Sequence, residues 1–513
     1  MANRKLPGVL GMSLGPRPSW KDVIAGVGVA LILIPQSMAY AELAGLPARH
    51  GLFAAALGPL AAAFFASSPY LQTGPVALTA LLTLGALVPL AVPGSAEYVG
   101  FAALLALVVG IVRVLVGALR GGWISYLMSR PMLDGFASGA AILIVSSQLP
   151  GVFGVDASGD GVLSRAFWAI RHPSDWEQAS SLLAMLTLLI VMGARRLNPL
   201  VPGVLIATVV GLSFSLAMDY GGPRLGDIDA GLPNLALALP WASLPALVLP
   251  GIVIALVGFA EAASISRIYA TKERMRWNPN QEFIGQGAAN IAAGLFGGFP
   301  VGGSFSRSSL NYLSGARTRW SGLVTGAVVF VFLPFAHLLG PLPRSVLSAI
   351  VIAAVIPLIR VRLLVSLWKI SLPQAVVGWL TFWFTIILSP HVEQAVVLGI
   401  LAAVAVHIWR ELEPGVEFWV EGATLHVKPS GVLWFGSAAF LEEAVARRLA
   451  LAPEAERLVL HLDGLGRIDL TGAQVLRELM DQLREGGLDV EMKGVPPHAV
   501  RILNAVMGRM GRH

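Results

Sequence analysis

Between residues 21 and 410 one apolar run follows another, parted only by short clusters of charge, glycine and proline, and no other feature narrows the fold so far. The runs are centred near 31, 60, 82, 108, 141, 188, 208, 257, 290, 310, 328, 350, 380 and 400. At roughly 20 residues per crossing they amount to about fourteen candidate membrane helices. Lipid offers backbone groups no partner, so such runs must close their hydrogen bonds within helices. Charge follows the same division. Residues 1–410 hold 25 Lys/Arg and 15 Asp/Glu, while residues 411–513 alone hold 11 and 15. The tail thus has the composition of a soluble domain. The expected organisation is a cytoplasmic N-terminal segment over 1–20, a transmembrane domain over 21–410 and a cytoplasmic domain over 411–513.

Several classes of function fall away. The net charge of +6 splits into +10 for the membrane part and −4 for the tail, so no basic surface remains there to track nucleic-acid phosphates. The absence of cysteine rules out disulfides, thiolate chemistry and cysteine-ligated metal. No HExxH, EF-hand loop or serine-hydrolase elbow occurs, and no phosphate-binding glycine motif stands in the tail, so neither an enzyme nor a metal or cofactor is expected. The N-terminus through Lys21 lacks the apolar core of a signal peptide, and Met1 is expected to be retained.

With the N-terminus inside, the cytoplasmic loops receive Arg120, Arg130, Arg195, Arg196, Lys272, Arg274, Arg276, Arg317, Arg319, Arg360, Arg362 and Lys369. The outer loops receive only Arg49, Arg165, Arg171, Arg224 and Arg344. This bias predicts an even number of spans with both termini in the cytoplasm.

Two spans are short or broken, at corresponding places in the two halves. The third begins at Thr73-Gly74-Pro75 and the tenth at Gly302-Gly303-Ser304. Matching interruptions point to a substrate site on an inverted repeat, unless they are merely glycine-rich kinks in a bundle. A half-helix that starts near mid-membrane presents unpaired N–H groups and the positive end of its dipole, which suits an anion. After Pro414 the pattern turns to strands over 418–427, 431–435, 458–463 and 488–493 and helices over 437–449, 471–484 and 498–507, a small α/β domain.

The stretch IPQSMAYAELAGLPARHGLFAA followed by SPYLQTGPVAL, within residues 25–84, closely resembles the first three helices of the SulP anion transporters. The run NPNQEFIGQGAANIAAGLFGGFPVGGSFSRSSLN at 278–311 looks like that family's eighth to tenth helices, and the tail is similar to a STAS domain. The resemblance implies two inverted seven-helix repeats in a bacterial inner-membrane protein. It further implies a core domain (helices 1–4 and 8–11) that moves against a gate domain, and a homodimer. It also implies an anion as substrate and a STAS domain able to bind a regulatory protein. Bacterial relatives carry sulfate, bicarbonate or C4-dicarboxylates. Proton-coupled symport of a dicarboxylate such as fumarate is the preferred expectation, with sulfate or bicarbonate transport, or an uncoupled exchanger or channel, as alternatives.

Specific residues carry these expectations. Pro35 lacks an N–H and is expected to kink the first span. Gln36 and Tyr40, four apart, share a helix face; by the resemblance Gln36 donates to the anion and Tyr40 walls it, the alternative being a Gln packed against another helix. Thr73, Gly74, Pro75, Val76 and Ala77 form one half-helix start, and Gly303, Ser304, Phe305, Ser306 and Arg307 the other. Arg307 matches a basic residue close to the family's site; otherwise it is a structural charge paired elsewhere or snorkelling. Glu42 and Glu261 lie inside predicted spans, where an ionisable group is costly enough to suggest function. Glu261, among Gly258, Ala260, Ala262 and Ala263, is the expected proton carrier. Sodium-coupled relatives place an Asp at the matching position, but Ile265 one turn on offers no hydroxyl for a sodium shell, which favours protons. Glu42 is the second candidate for proton coupling unless it is solvated or paired with Arg49. In the tail, Thr471 stands where anti-sigma factor antagonists carry a phosphorylatable serine. Alternatively, Asp469 or Thr471 simply caps the helix that follows.

Overall fold

The computed structural model describes residues 17–508 apart from 127, 229–230, 237 and 413. Positions 1–16 of the expected N-terminal segment lie outside the described residues. The chain divides into two compact units after Leu401.

The first unit is helical: α1 (Trp20–Leu43), α2 (Ala48–Phe65), the two-residue strand β1 (Thr73–Gly74), α3 (Ala77–Leu87), α4 (Ala96–Ala118), α5 (Arg130–Phe153), α6 (Val162–Arg171), α7 (Gln178–Leu197) and α8 (Gly203–Ala217) come first. Then follow α9 (Leu244–Lys272), α10 (Pro279–Leu295), β2 (Gly302–Gly303), α11 (Phe305–Leu313), α12 (Trp320–Phe332), α13 (Arg344–Val355), α14 (Val361–Ile370), α15 (Leu372–Ile387) and α16 (Val392–Leu412), whose residues from Ala402 on belong to the second unit. Every apolar run named above falls inside a helix. Among the described residues nine helical segments are long and apolar enough to cross a membrane, and α3, α8 and α15 are shorter apolar helices. The apolar runs do not show α6 and α14. Both are amphipathic, with Leu163, Phe167 and Ile170 exposed on one and Leu363, Val365 and Trp368 on the other. Arg165 and Arg171 in α6 and Arg362 and Lys369 in α14 break the runs that a hydropathy reading needs. The helix α1 continues through Pro35 without a break.

Packing sorts these helices into two groups. In the first, α1–α4 pack with α9–α12; in the second, α5, α7 and α8 pack with α13 and α15, and α6 and α14 lie on α5 and α15. These are the sets that the resemblance assigns to core and gate. Within the first group α4 and α10 approach so closely that a Cβ on Gly287 would meet the Gly110 carbonyl oxygen at 2.8 Å. Small residues let helix backbones touch where lipid supplies no hydrophobic drive to association. The start of α1 is held by a reciprocal cap: Asp22 N–H donates to Ser19 Oγ at 3.3 Å and Ser19 N–H to Asp22 Oδ2 at 2.8 Å. Asp22 Oδ1 also accepts from the Arg317 and Thr318 N–H groups, tying α1 to the segment after α11.

The second unit contains β3 (Gly415–Glu421), β4 (Thr424–Leu433), α17 (Ala438–Leu449), β5 (Arg457–His461), β6 (Leu465–Ile468), α18 (Leu470–Glu485), β7 (Asp489–Lys493) and α19 (Pro497–Met507). The sheet runs β3-β4-β5-β7, with β6 also paired to β4. Only the β3–β4 pair is antiparallel. Leu425, Val427, Leu458 and Leu460 from the strands meet Leu441, Val445, Leu476 and Leu503 from the helices in its core. The single strand expected over 418–427 is instead a hairpin. Glu421 pairs with Thr424 across Gly422, whose φ of +61° suits a tight turn that other residues rarely make. The strand β6, absent from the sequence reading, is too short and too polar at Gly466 and Arg467 to stand out. Asp469 caps α18, its Oδ1 accepting from Gly472 N–H at 2.7 Å, and Thr471 is exposed in the first turn. The capping alternative is therefore the structural role found at that junction, and it falls to Asp469.

Candidate functional site

The site is built where two short helices begin. Thr73 pairs with Gly303 and Gly74 with Gly302 in an antiparallel bridge, so the extended segments before α3 and α11 cross. Gly74 takes φ +155°, a conformation that side chains resist, and a Cβ there would stand 3.4 Å from Arg307 Nη2. Beyond the crossing, α3 starts at Ala77 without a side-chain cap. α11 starts at Phe305 behind Ser304, whose Oγ accepts from Arg307 N–H at 3.5 Å and lies 3.3 Å from Ser306 Oγ. The N–H groups of each first turn have no intrahelical acceptor, and the helix dipoles add positive potential at both starts.

Polar side chains within the bundle hold the crossing in place. Asn290 clamps Val301, accepting from its N–H at 2.9 Å and donating to its carbonyl at 3.1 Å. Gln286 donates to Thr73 Oγ1 at 2.7 Å. Arg113, fully buried, donates to the carbonyls of Ala255, Val301 and Ile254 at 2.9–3.2 Å. Arg113→Leu removes three buried charge-assisted hydrogen bonds that tie α4 to α9 and to Val301, an expected cost of about 3–5 kcal/mol. Thermal unfolding of the purified protein reads this, and a Tm within about 2 °C of wild type would contradict it.

A cavity of about 590 Å³ opens in front of the crossing. Its wall includes Tyr40, Val76, Ala77, Ser304, Phe305 and Ser306, and Glu261 of α9. A neighbouring cavity of about 510 Å³ shares Glu261, Leu78 and Phe305 and reaches Asp134 and Arg360, which pair at 2.8 Å. Among the described residues Glu261 has no hydrogen-bond or ion-pair partner. Gln36, Arg307, Thr73, Gly74, Pro75 and Gly303 are not part of this wall. Gln36, 1% exposed, accepts from Arg307 Nη1 at 3.4 Å, so its carbonyl serves the arginine and its side chain does not line the cavity. Arg307 is itself 1% exposed, and among the described residues its Nε and Nη2 have no partner. Such burial excludes snorkelling, and the one side-chain partner found for Arg307 among the described residues is Gln36. Thr73, Gly74, Pro75 and Gly303 shape the crossing and not the wall.

Glu42 lies apart from the cavity. Its partner is Arg344 of α13 at 3.4 Å, and Arg49 instead meets His50. Sequence separation concealed this: Glu42 and Arg344 belong to the two different helix groups, which only folding brings together. It also concealed Arg195, placed in a loop by the charge reading but found on the cavity wall. Gln286 and Asn290 carried a usable signal, being amides four apart on one face of an otherwise apolar helix. Ser264, three residues after Glu261 and on the wall of the second cavity, is a hydroxyl that the argument from Ile265 passed over.

A helical membrane body with an electropositive, hydroxyl-bearing cavity at two facing helix starts defines a carrier of small anions. The family model of the sulfate permease family matches residues 20–381, and that of the STAS domain residues 418–507. The chain belongs to the sulfate permease family: it is an anion transporter with a STAS domain, and not an enzyme. A probable sulfate transporter of Mycobacterium tuberculosis is 38% identical over 347 residues, 66% of this chain and 61% of that protein. The sodium-independent sulfate anion transporter of Bos taurus is 26% identical, over 94% of this chain and 85% of its own. The murine Solute Carrier 26 family member A9 anion transporter, solved in the inward-facing state, superposes with a TM-score of 0.86. That match covers 95% of this chain and 87% of the other at 20% identity, a likeness of fold. The transmembrane domain of a cyanobacterial bicarbonate transporter gives 0.64 at 26% identity, over 75% of this chain and 97% of that one.

Proposed function

We propose that the protein is a proton-coupled symporter of a divalent oxyanion, bound at the starts of α3 and α11 and carried by an elevator-like movement of the first helix group against the second. One observation carries this reading: a single cavity joins two helix starts to Glu261, a carboxylate without a partner on a membrane helix. The helix starts supply donors for an anion, and a carboxylate facing them repels that anion unless a proton neutralises it. Anion and proton then favour each other's binding. The cavity lies toward the ends of α7, α9 and α11, reaching Pro199 and Leu313, while the Glu42–Arg344 pair joins the helix groups elsewhere. This, with the bias of Lys and Arg toward the loops at that end, supports an inward-facing state with both termini cytoplasmic; the bacterial inner membrane is the location that the resemblance implies. Sulfate is supported by the names of the relatives. A dicarboxylate such as fumarate is the second reading, favoured by a cavity of about 590 Å³ whose far wall includes apolar Leu310, Val355 and Leu358. We also propose a homodimer, as the resemblance implies, and a regulatory partner for the STAS domain near exposed Thr471.

Purified protein in proteoliposomes tests this. Labelled sulfate and fumarate are offered in turn under an inward proton gradient, under an inward sodium gradient and under neither. Accumulation of one anion driven by protons alone is the expected result. Sodium-driven accumulation would move the coupling ion to a site including Ser264, and equilibration without any gradient would make the protein an uncoupled exchanger or channel.

A further inference from the structure

Arg195 occupies an unusual position. It sits in the last turn of α7, whose packing partners are α5, α8 and α13, all in the second helix group. Its Nη1 donates to the Ala353 carbonyl of α13 at 2.8 Å, which fastens the guanidinium to that same group. The side chain nevertheless lines the cavity that holds Tyr40, Glu261, Ser304 and Ser306, all carried by the first group. It is half-buried, so its charge is incompletely screened by water.

We propose that Arg195 is a specificity-determining contact for the transported anion, supplied by the helix group that does not carry the binding site. The inference rests on the transport reading above and deepens it. Charge balance gives its content. Arg307 behind the helix starts and Arg195 across the cavity contribute two positive charges, while Glu261 contributes one negative charge or, when protonated, none. With Glu261 protonated the cavity balances a dianion. Without Arg195 it balances a monoanion. Because Coulomb energy is linear in the ligand's charge, removing one fixed cation weakens a dianion by the square of the factor lost by a monoanion. A residue that merely braced α7 on α13 would lower the amount of working protein, and with it Vmax, and leave both constants unchanged.

The test compares wild type, Arg195→Gln and Arg195→Lys in proteoliposomes, measuring the KM for labelled sulfate and its inhibition constant for nitrate, a monoanion. For Arg195→Gln the sulfate KM is expected to rise about tenfold and the nitrate constant about threefold. Arg195→Lys keeps the charge and is expected to hold both within about twofold of wild type. Equal shifts for the two anions, or none, in Arg195→Gln overturn this inference and leave the transport reading standing. A folded wild type that moves neither sulfate nor fumarate overturns the transport reading, and this inference with it.

Discussion

Arg307→Gln is expected to lower uptake at subsaturating anion about 100-fold, the largest effect of any single substitution here. The arginine is 1% exposed, spends one N–H on Gln36 and leaves Nε and Nη2 without partners. A buried charge so poorly satisfied is costly unless something else completes it. On the proposed reading an anion in the adjoining cavity offsets that charge from the other side of the wall. Its attraction is expected to be worth about 3 kcal/mol, or about two powers of ten. The same logic gives an opposite sign for stability. Without anion, Arg307→Gln removes an uncompensated buried charge and is expected to leave Tm unchanged or raised. Wild type is expected to gain Tm on adding sulfate, and the variant to lose that gain. A variant that unfolds at lower temperature with and without sulfate would show that Arg307 is structural.

Glu261→Gln is expected to abolish accumulation above equilibrium while sparing exchange. Glutamine keeps the shape and the hydrogen-bonding capacity but carries no titrating proton, so the cavity stays permanently in its anion-accepting charge state. In wild type a gradient of one pH unit supports about tenfold accumulation for each coupled proton, with membrane potential held at zero. The variant is expected to reach the same level on both sides, with or without the gradient. Fluorescent pH recording inside the vesicles provides the second readout: sulfate addition should acidify wild-type vesicles and leave those with the variant unchanged. Full accumulation by Glu261→Gln would remove this carboxylate from coupling and direct attention to other groups in the membrane domain.

The segments legible in the sequence share one property: the signal is local. Each apolar run became a helix because a membrane-crossing backbone can satisfy itself only within its own turn. The breaks at Gly74-Pro75 and Gly302-Gly303 announced themselves through residues whose backbone preferences are intrinsic. The strand that proved to be a hairpin at Gly422 failed for the same reason in reverse, since a lone glycine inside an apolar stretch signals a turn only when both neighbouring segments find each other.

By itself, then, the sequence determined the number and order of the apolar runs, the polar composition of the tail, the breaks at Gly74-Pro75 and Gly302-Gly303, and the family, while the helices themselves begin only at Ala77 and Phe305. Tertiary structure alone decided which of the named residues face the cavity. It turned Gln36 onto Arg307, joined Glu42 to Arg344, set Arg113 and Asn290 to bracing Val301, and brought Arg195 from the second helix group onto the cavity wall. The physical reason is range. Hydropathy and backbone preference act within a few residues, whereas these contacts join groups 11 to 302 positions apart, and their partners are chosen by the packing of whole helices.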